Sequence, residues 1–323
     1  MNKIAVVGLG NISKRHRANL KTLYPEAKIF AVSASGRRPS EPIDDADEFF
    51  SGIDELLLHN IDMAIVASPA TYHAQHAIPL LRAGIPVLIE KPLAACNADA
   101  EAIAKVASDT KTPIAVGYCL RYLSSCQKIV KILKENVIGD IYNVFIEIGQ
   151  YLPDWRLGKS YRDTVSASKE LGGGALLELS HELDYGQWLF GLLQPHSAIL
   201  RSSKELGLEV EDSADILAVN EKGTVFSIHL DFLQRKPQRL CRITGCKGSV
   251  EWNLLANQIK VITHDDESVV FDENDLDKNH MYLSMLKDFS RKISGLDNQC
   301  ITVLEAKKIV LLVEEIKKIA LKG

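Results

Sequence analysis

Long apolar runs are missing from this chain. None reaches the ~18 residues that a bilayer-spanning helix needs. The opening stretch Met1-Asn2-Lys3-Ile4-Ala5-Val6-Val7-Gly8 is too short an apolar segment for a signal-peptide core before it enters a glycine turn. A cytoplasmic protein without membrane contact is expected. Excess positive charge is missing too. Lys and Arg number 38 against 42 Asp and Glu, a formal net charge of −4, and no basic block stands out. That excludes the electrostatic footprint of a nucleic-acid binder. Cysteine is sparse: Cys96, Cys119, Cys126, Cys241, Cys246 and Cys300 are scattered, and the one near pair, Cys241 with Cys246, has no second pair to complete a zinc site. Free thiols and no bound metal are expected.

What is present describes an ordinary globular protein, 46% apolar and 25% charged, whose 323 residues exceed what one core usually holds. Two domains are predicted, 1–121 and 122–323. In the first, short β-branched runs at Ile4–Val7, Ile29–Val32, Met63–Ala67, Val87–Ile89 and Ile114–Val116 alternate with amphipathic stretches such as Ser13–Leu23 and His73–Ala83. That alternation predicts an α/β doubly wound parallel sheet. After about Tyr122 the runs lengthen and alternate in polarity, at Asn143–Ile148, Asp215–Val219, Val225–Leu230 and Leu240–Ile243. They predict an α+β domain with a mostly antiparallel open sheet. One helix over Ala175–Phe190 and two closing helices, Met281–Ile293 and Val303–Leu321, complete the reading.

Gly8-Leu9-Gly10-Asn11-Ile12-Ser13 follows the first strand and opens a helix. Gly8, Gly10, Asn11 and Ile12 are therefore expected to face a dinucleotide pyrophosphate at the helix N-terminus, although Ser13 replaces the usual third glycine. Simple turn chemistry is the competing reading. The second strand runs into Ala31-Val32-Ser33-Ala34-Ser35-Gly36-Arg37-Arg38 with no carboxylate for the adenosine ribose. Ser35, Arg37 and Arg38 would suit a 2′-phosphate, so NADP is favoured with NAD as the alternative. Arginines that simply solvate a loop are the competing reading.

Ala67-Ser68-Pro69-Ala70-Thr71-Tyr72-His73, then Ile89-Glu90-Lys91-Pro92, then Gly172-Gly173-Gly174 through His181-Glu182-Leu183-Asp184 complete the set. Together with the glycine turn, they make the chain resemble the Gfo/Idh/MocA oxidoreductases along almost its whole length. The resemblance implies a Rossmann domain, a second domain whose sheet also makes oligomer contacts (a dimer or tetramer), and hydride transfer between nicotinamide and a sugar, nucleotide sugar or polyol. It carries Lys91 and His181 over as catalytic residues. Family members often have an aspartate four residues before that histidine; here the carboxylate is Glu178, three before, and it becomes the candidate orienter, with Asp184 and Tyr185 competing. Ser68, Pro69, His73, Glu90 and Lys91 are the further cofactor contacts implied, His73 having a helix-capping alternative. Arg121 and Tyr122 match a family segment lining the active site. Trp155, Arg156 and Tyr161 form an aromatic and basic loop suited to a charged sugar. Two rival functions stand beside this one: a non-catalytic NADP-binding sensor, and glycoside cleavage using bound NAD(P) for internal redox.

Overall fold

The computed structural model describes residues 1–322 apart from 157 and 159. Two compact units emerge: Met1–Cys119 together with Met281–Leu311, and Leu120–His280 together with the chain from Leu312 onward. A single cut near 121 therefore does not describe the division, because residues 281–311 return to the first unit. Val116 at the end of its last strand donates its amide to the carbonyl of Ile301.

The first unit is built on a six-stranded parallel sheet: β1 (Lys3–Val7), β2 (Lys28–Val32), β3 (Glu48–Phe50), β4 (Met63–Val66), β5 (Val87–Ile89) and β6 (Ile114–Val116). Their spatial order is β3-β2-β1-β4-β5-β6, which reverses between β1 and β4. Ligands of such sheets bind beyond the strand C-termini at that reversal. The helices α1 (Asn11–Leu23), α2 (Ile53–Leu56), α3 (His73–Arg82) and α4 (Asn97–Thr110) connect the strands. Ile4, Ala5, Val6, Val7 and all four residues of β4 are buried, as β-branched and small residues must be in a strand covered on both faces. The short β3, with only Glu-Phe-Phe to signal it, is the strand of this sheet that periodicity did not predict.

The second unit starts with α5 (Ser124–Lys134) and β7 (Ile141–Gly149). The predicted single helix over 175–190 is broken into α6 (Ala175–Glu178) and α7 (His181–Phe190). There follow β8 (Leu193–Arg201), β9 (Ser213–Asn220), β10 (Val225–Asp231), β11 (Gln238–Gly245), β12 (Gly248–Asn253), β13 (Gln258–Thr263) and β14 (Glu267–Asp272), then α8 (Asn279–Ile293), α9 (Val303–Ile319) and the two-residue β15 (Leu321–Lys322). The strands form one sheet in the order β14-β13-β12-β11-β7-β10-β9-β8-β15, antiparallel except for β7 with β10 and β8 with β15. Alternation does the sorting. Val144, Ile146 and Ile148 of β7 and Ala214, Ile216 and Ala218 of β9 turn inward, on the side where α6 and α7 pack. Phe145, Leu217, Ser227 and Arg242 stand in register across the other face, where Leu217 is 44% exposed. β8 escaped prediction because Pro195 and a register shift between Pro195 and Ser197 interrupt its alternation.

Candidate functional site

The turn between β1 and α1 has a backbone that only glycine allows at its first position. Gly8 has φ +112°, and a Cβ there would stand 2.6 Å from the carbonyl oxygen of Ala67 at the end of β4. Gly10 differs: a Cβ there would meet nothing within 4 Å. The chain's own packing therefore gives no reason for glycine at 10, whereas a group resting on the backbone would. Gly10 gives the helix that follows no side-chain cap, and its first turn holds no acidic residue, so Asn11 and Ile12 open it at a positive dipole end. Ser13, in place of the third glycine, is fully buried and donates its hydroxyl to Ala67 at 3.2 Å, closing the helix onto β4. These features fit a dinucleotide pyrophosphate.

Beyond β2 the chain turns at Ser33 and exposes Ser35, Arg37 and Arg38. The loop is tied back to α1 by Lys14 on Asp44 (2.6 Å), by Arg17 on the Asp44 carbonyl (2.8 Å) and by Lys21 on Asp47 (2.6 Å). The two arginines part company: the Arg38 guanidinium stands 6.0 Å from the Phe49 ring, on the β3 side.

At the end of β4, Ser68 and Pro69 lead into α3. The Ser68 hydroxyl bonds Nδ1 of His76 at 2.9 Å, and the His76 imidazole also bonds the backbone of Ala34 after β2. Burial, helped by the neighbouring His73, pushes the His76 pKa down to about 4, so it is a neutral clasp between two strand ends. Sequence reading passed over this residue; a second histidine one turn into α3 was its only signal. His73, expected either at the cofactor or as a helix cap, links two loops. It is buried, with Nε2 at 2.8 Å from the Ser68 carbonyl and Nδ1 at 3.0 Å from that of Pro92, so its ring is spent joining two loops. Burial holds it below the ordinary histidine range.

Glu90, the other residue expected here, is held inside the unit. Its carboxylate is buried, with Oε1 2.7 Å from His16 Nε2 and Oε2 accepting the Lys91 amide at 3.1 Å. Burial by itself would raise its pKa, but the His16 hydrogen bond, assisted by the charges of His16 and Lys91, holds the carboxyl below the usual range. Both oxygens serve the protein. Lys91 follows at the C-terminal end of β5, ahead of a cis bond to Pro92.

In the second unit, His181 is the first residue of α7, separated from Glu178 at the end of α6 by the turn at Leu179 and Ser180. The argument that i and i+3 share one helical face therefore lapses. Glu178 accepts the Ser166 hydroxyl at 2.9 Å. Asp184 and Tyr185 have other work. Arg121 grips Asp184 through Nε (3.0 Å) and Nη2 (2.6 Å), and its guanidinium lies 5.0 Å from the Trp188 ring. Tyr185 is fully buried, its ring centroid 5.2 Å from that of Trp252. One residue from His181, Glu182 is clamped by Arg239 at 2.7 and 3.0 Å. Both clamps hold buried carboxylates on the first turns of the helix that carries His181, Arg121 being buried and Arg239 half-buried, and neither was foreseen as a pair.

The predicted substrate residues divide. Arg121 is committed to Asp184. Trp155 packs edge-on against Phe232 at 5.3 Å with its Nε1 on the Gln150 carbonyl, and the Tyr161 hydroxyl donates to the Leu206 carbonyl at 3.1 Å. These three shape the unit through contacts that sequence could not pair. Tyr122 and Arg156 are half-buried.

Comparison with known proteins bears on the same regions. The family described as "Oxidoreductase family, NAD-binding Rossmann fold" matches residues 2–118, and the "GFO/IDH/MocA C-terminal domain" matches residues 126–251. Glucose-6-phosphate 3-dehydrogenase of Bacillus subtilis is 27% identical over 192 residues, 59% of this chain and 54% of that one, so the match spans about half of the relative. Among solved structures, levoglucosan dehydrogenase in complex with NADH aligns with a TM-score of 0.84 at 18% identity over 98% of this chain and 96% of that one. A 3-ketoreductase from Actinomadura kijaniata, in complex with NADP and TDP-benzene, aligns with a TM-score of 0.81 at 19% identity over 99% and 98%. With the glycine turn, the Glu-Lys-Pro element and both family regions in place, this chain belongs to the Gfo/Idh/MocA family of oxidoreductases, with an NAD-binding Rossmann fold.

Proposed function

We propose that this protein transfers a hydride between NADP(H) and a carbinol or carbonyl carbon of a sugar, nucleotide sugar or polyol. The observation that carries the reading is Lys91, held at the C-terminal end of β5 by the Glu90 lock, in the same unit as the open glycine turn. Nicotinamide, when bound, supplies or accepts the hydride. The chain's own part is to bind, orient and move a proton. The Gly8–Ile12 turn receives the pyrophosphate, with Ser68 and Pro69 beside the adenosine half. The Lys91 ammonium stabilises negative charge developing on the substrate oxygen, and the His181 imidazole exchanges that oxygen's proton near neutral pH. Glu178 acts at one remove, as a carboxylate near the start of α7. The relative acting on glucose 6-phosphate and the solved levoglucosan dehydrogenase support a sugar as the substrate class.

NADP is preferred over NAD on this reading because the segment 33–38, just after β2, holds no carboxylate, and Arg37 and Arg38 are both exposed there, with Arg38 turned toward Phe49. A charge-assisted contact of ~1.5–3 kcal/mol corresponds to at least a tenfold preference. Titration calorimetry with NADPH and NADH checks it, and Arg37→Ala should erase most of the difference. Equal affinities in the unaltered protein, or tighter NADH, would reject the assignment.

A further inference from the structure

Glu90 is confined on three sides. His16, fully buried on α1, holds Oε1 at 2.7 Å; the Lys91 amide holds Oε2 at 3.1 Å; and Gly117, just past β6, closes the third side. A Cβ on Gly117 would stand 3.2 Å from the Glu90 carboxyl carbon and 3.3 Å from its Cα, so a larger residue there would press on the carboxylate and its backbone. His16 is confined in turn. Its ring meets the edge of Tyr282 at a centroid distance of 6.2 Å, and the other face of that contact is stiffened by the Arg15 guanidinium 4.7 Å from the Tyr282 ring. Tyr282 also hydrogen-bonds Cys119. A titratable cluster this buried is costly unless every member is held, and nothing in the hydride chemistry consumes a proton at His16 or Glu90.

We infer that His16 is a positioning residue: through Glu90 it fixes the main chain of Lys91, so that the helix receiving the dinucleotide also sets where the lysine stands. The functional meaning of this inference rests on Lys91 acting on the substrate, but the geometry does not. In chemical terms α1 presents its N-terminus to the pyrophosphate and, one turn further on, an imidazole N–H to the carboxylate that accepts the Lys91 amide. Any displacement of α1 is passed to Lys91 through two hydrogen bonds rather than through loose packing. Replacing His16 with an apolar residue removes the donor, leaves Glu90 buried without its partner, and frees it to rotate off the Lys91 amide.

The test is residue-resolved amide hydrogen exchange on the full chain, comparing the unaltered protein with His16→Leu and His16→Gln. In His16→Leu the Lys91 amide should exchange at least tenfold faster while Ile65 and Val66 in β4 keep their protection. His16→Gln, whose amide can donate to Glu90, should recover most of the lost protection. Unchanged exchange at Lys91, or acceleration in β4 of the same size, overturns the inference, the second result showing His16 to be a general core residue. Once a substrate is found, His16→Leu should lower kcat without changing NADPH affinity and should cost nothing further in a Lys91→Ala background. Normal turnover in Lys91→Ala would sink the catalytic reading of Lys91 alone, since the exchange result stands apart from it.

Discussion

Asp184→Asn is the perturbation with the most definite expected size. Arg121 and Asp184 are 8% and 1% exposed at their side chains and share two hydrogen bonds of 2.6 and 3.0 Å, with Trp188 stacked 5.0 Å from the guanidinium. Asparagine keeps the shape but strands a buried cation, and removal of one partner of such a pair costs about 3–5 kcal/mol. Arg121→Met strands the carboxylate and should cost a similar amount. The double variant Arg121→Met/Asp184→Leu removes both charges and should lose less than either single change, because well-packed apolar replacements of buried pairs are often neutral. All three tryptophans, Trp155, Trp188 and Trp252, lie in the second unit, so fluorescence in a urea titration reads that unit alone. A lower midpoint at constant slope is the expected signature. Single changes that cost under about 1 kcal/mol, or costs that simply add in the double variant, would refute the view that this pair is a desolvated, mutually dependent unit.

Three other outcomes are expected. Lys91→Ala and His181→Ala should each lower turnover by roughly 10²–10⁴-fold with cofactor affinity little changed, and Glu178→Gln should cost less; near-normal turnover in His181→Ala beside an inactive Glu178→Gln or Tyr185→Phe would reassign the proton carrier. His229 bonds Asp231 at 2.8 Å and Asp215 at 2.7 Å, and those two carboxylates, working against burial, raise its pKa from 6.5 to about 9. A folded-state pKa above the unfolded one stabilises fully below pH 6.5 and is lost as pH rises through 9, so the urea midpoint should fall across that window and His229→Gln should flatten the fall; parallel profiles would count against it. The sheet face around the exposed Leu217 and Ile199, which also carries Ser227, Arg242 and the His229–Asp215 pair, should mediate self-association by covering those two side chains. Light scattering at micromolar concentration should give more than a monomer's mass, and Leu217→Glu should reduce it; a strictly monomeric unaltered protein would show that the face is content in water.

Much of the first unit was legible because a parallel sheet buried on both sides must be written in short β-branched runs, and each of the five predicted strands overlaps an observed one. The glycine turn could be read for the same reason: the φ of Gly8 leaves the sequence little choice. Pairing was not legible. That Arg121 would close on Asp184, or Tyr161 on Leu206, depends on which distant segments meet, and no local pattern carries that information. The break between α6 and α7 was hidden because Leu179 and Ser180 keep a helical period while the backbone turns. Residues 281–311 read as generic amphipathic helices, and amphipathicity says that a face is buried without saying in which unit.

That return of residues 281–311 has a consequence for biosynthesis. The cofactor unit cannot be completed when its sheet leaves the ribosome, because the segment that bonds Val116 and lays Tyr282 beside His16 comes after about 160 intervening residues. At 5–20 residues per second the wait is roughly 8 to 32 s. During that time the edge strand β6 has an unmet amide and the His16 ring lacks its neighbour. An isolated 1–121 fragment would stay in that condition for good.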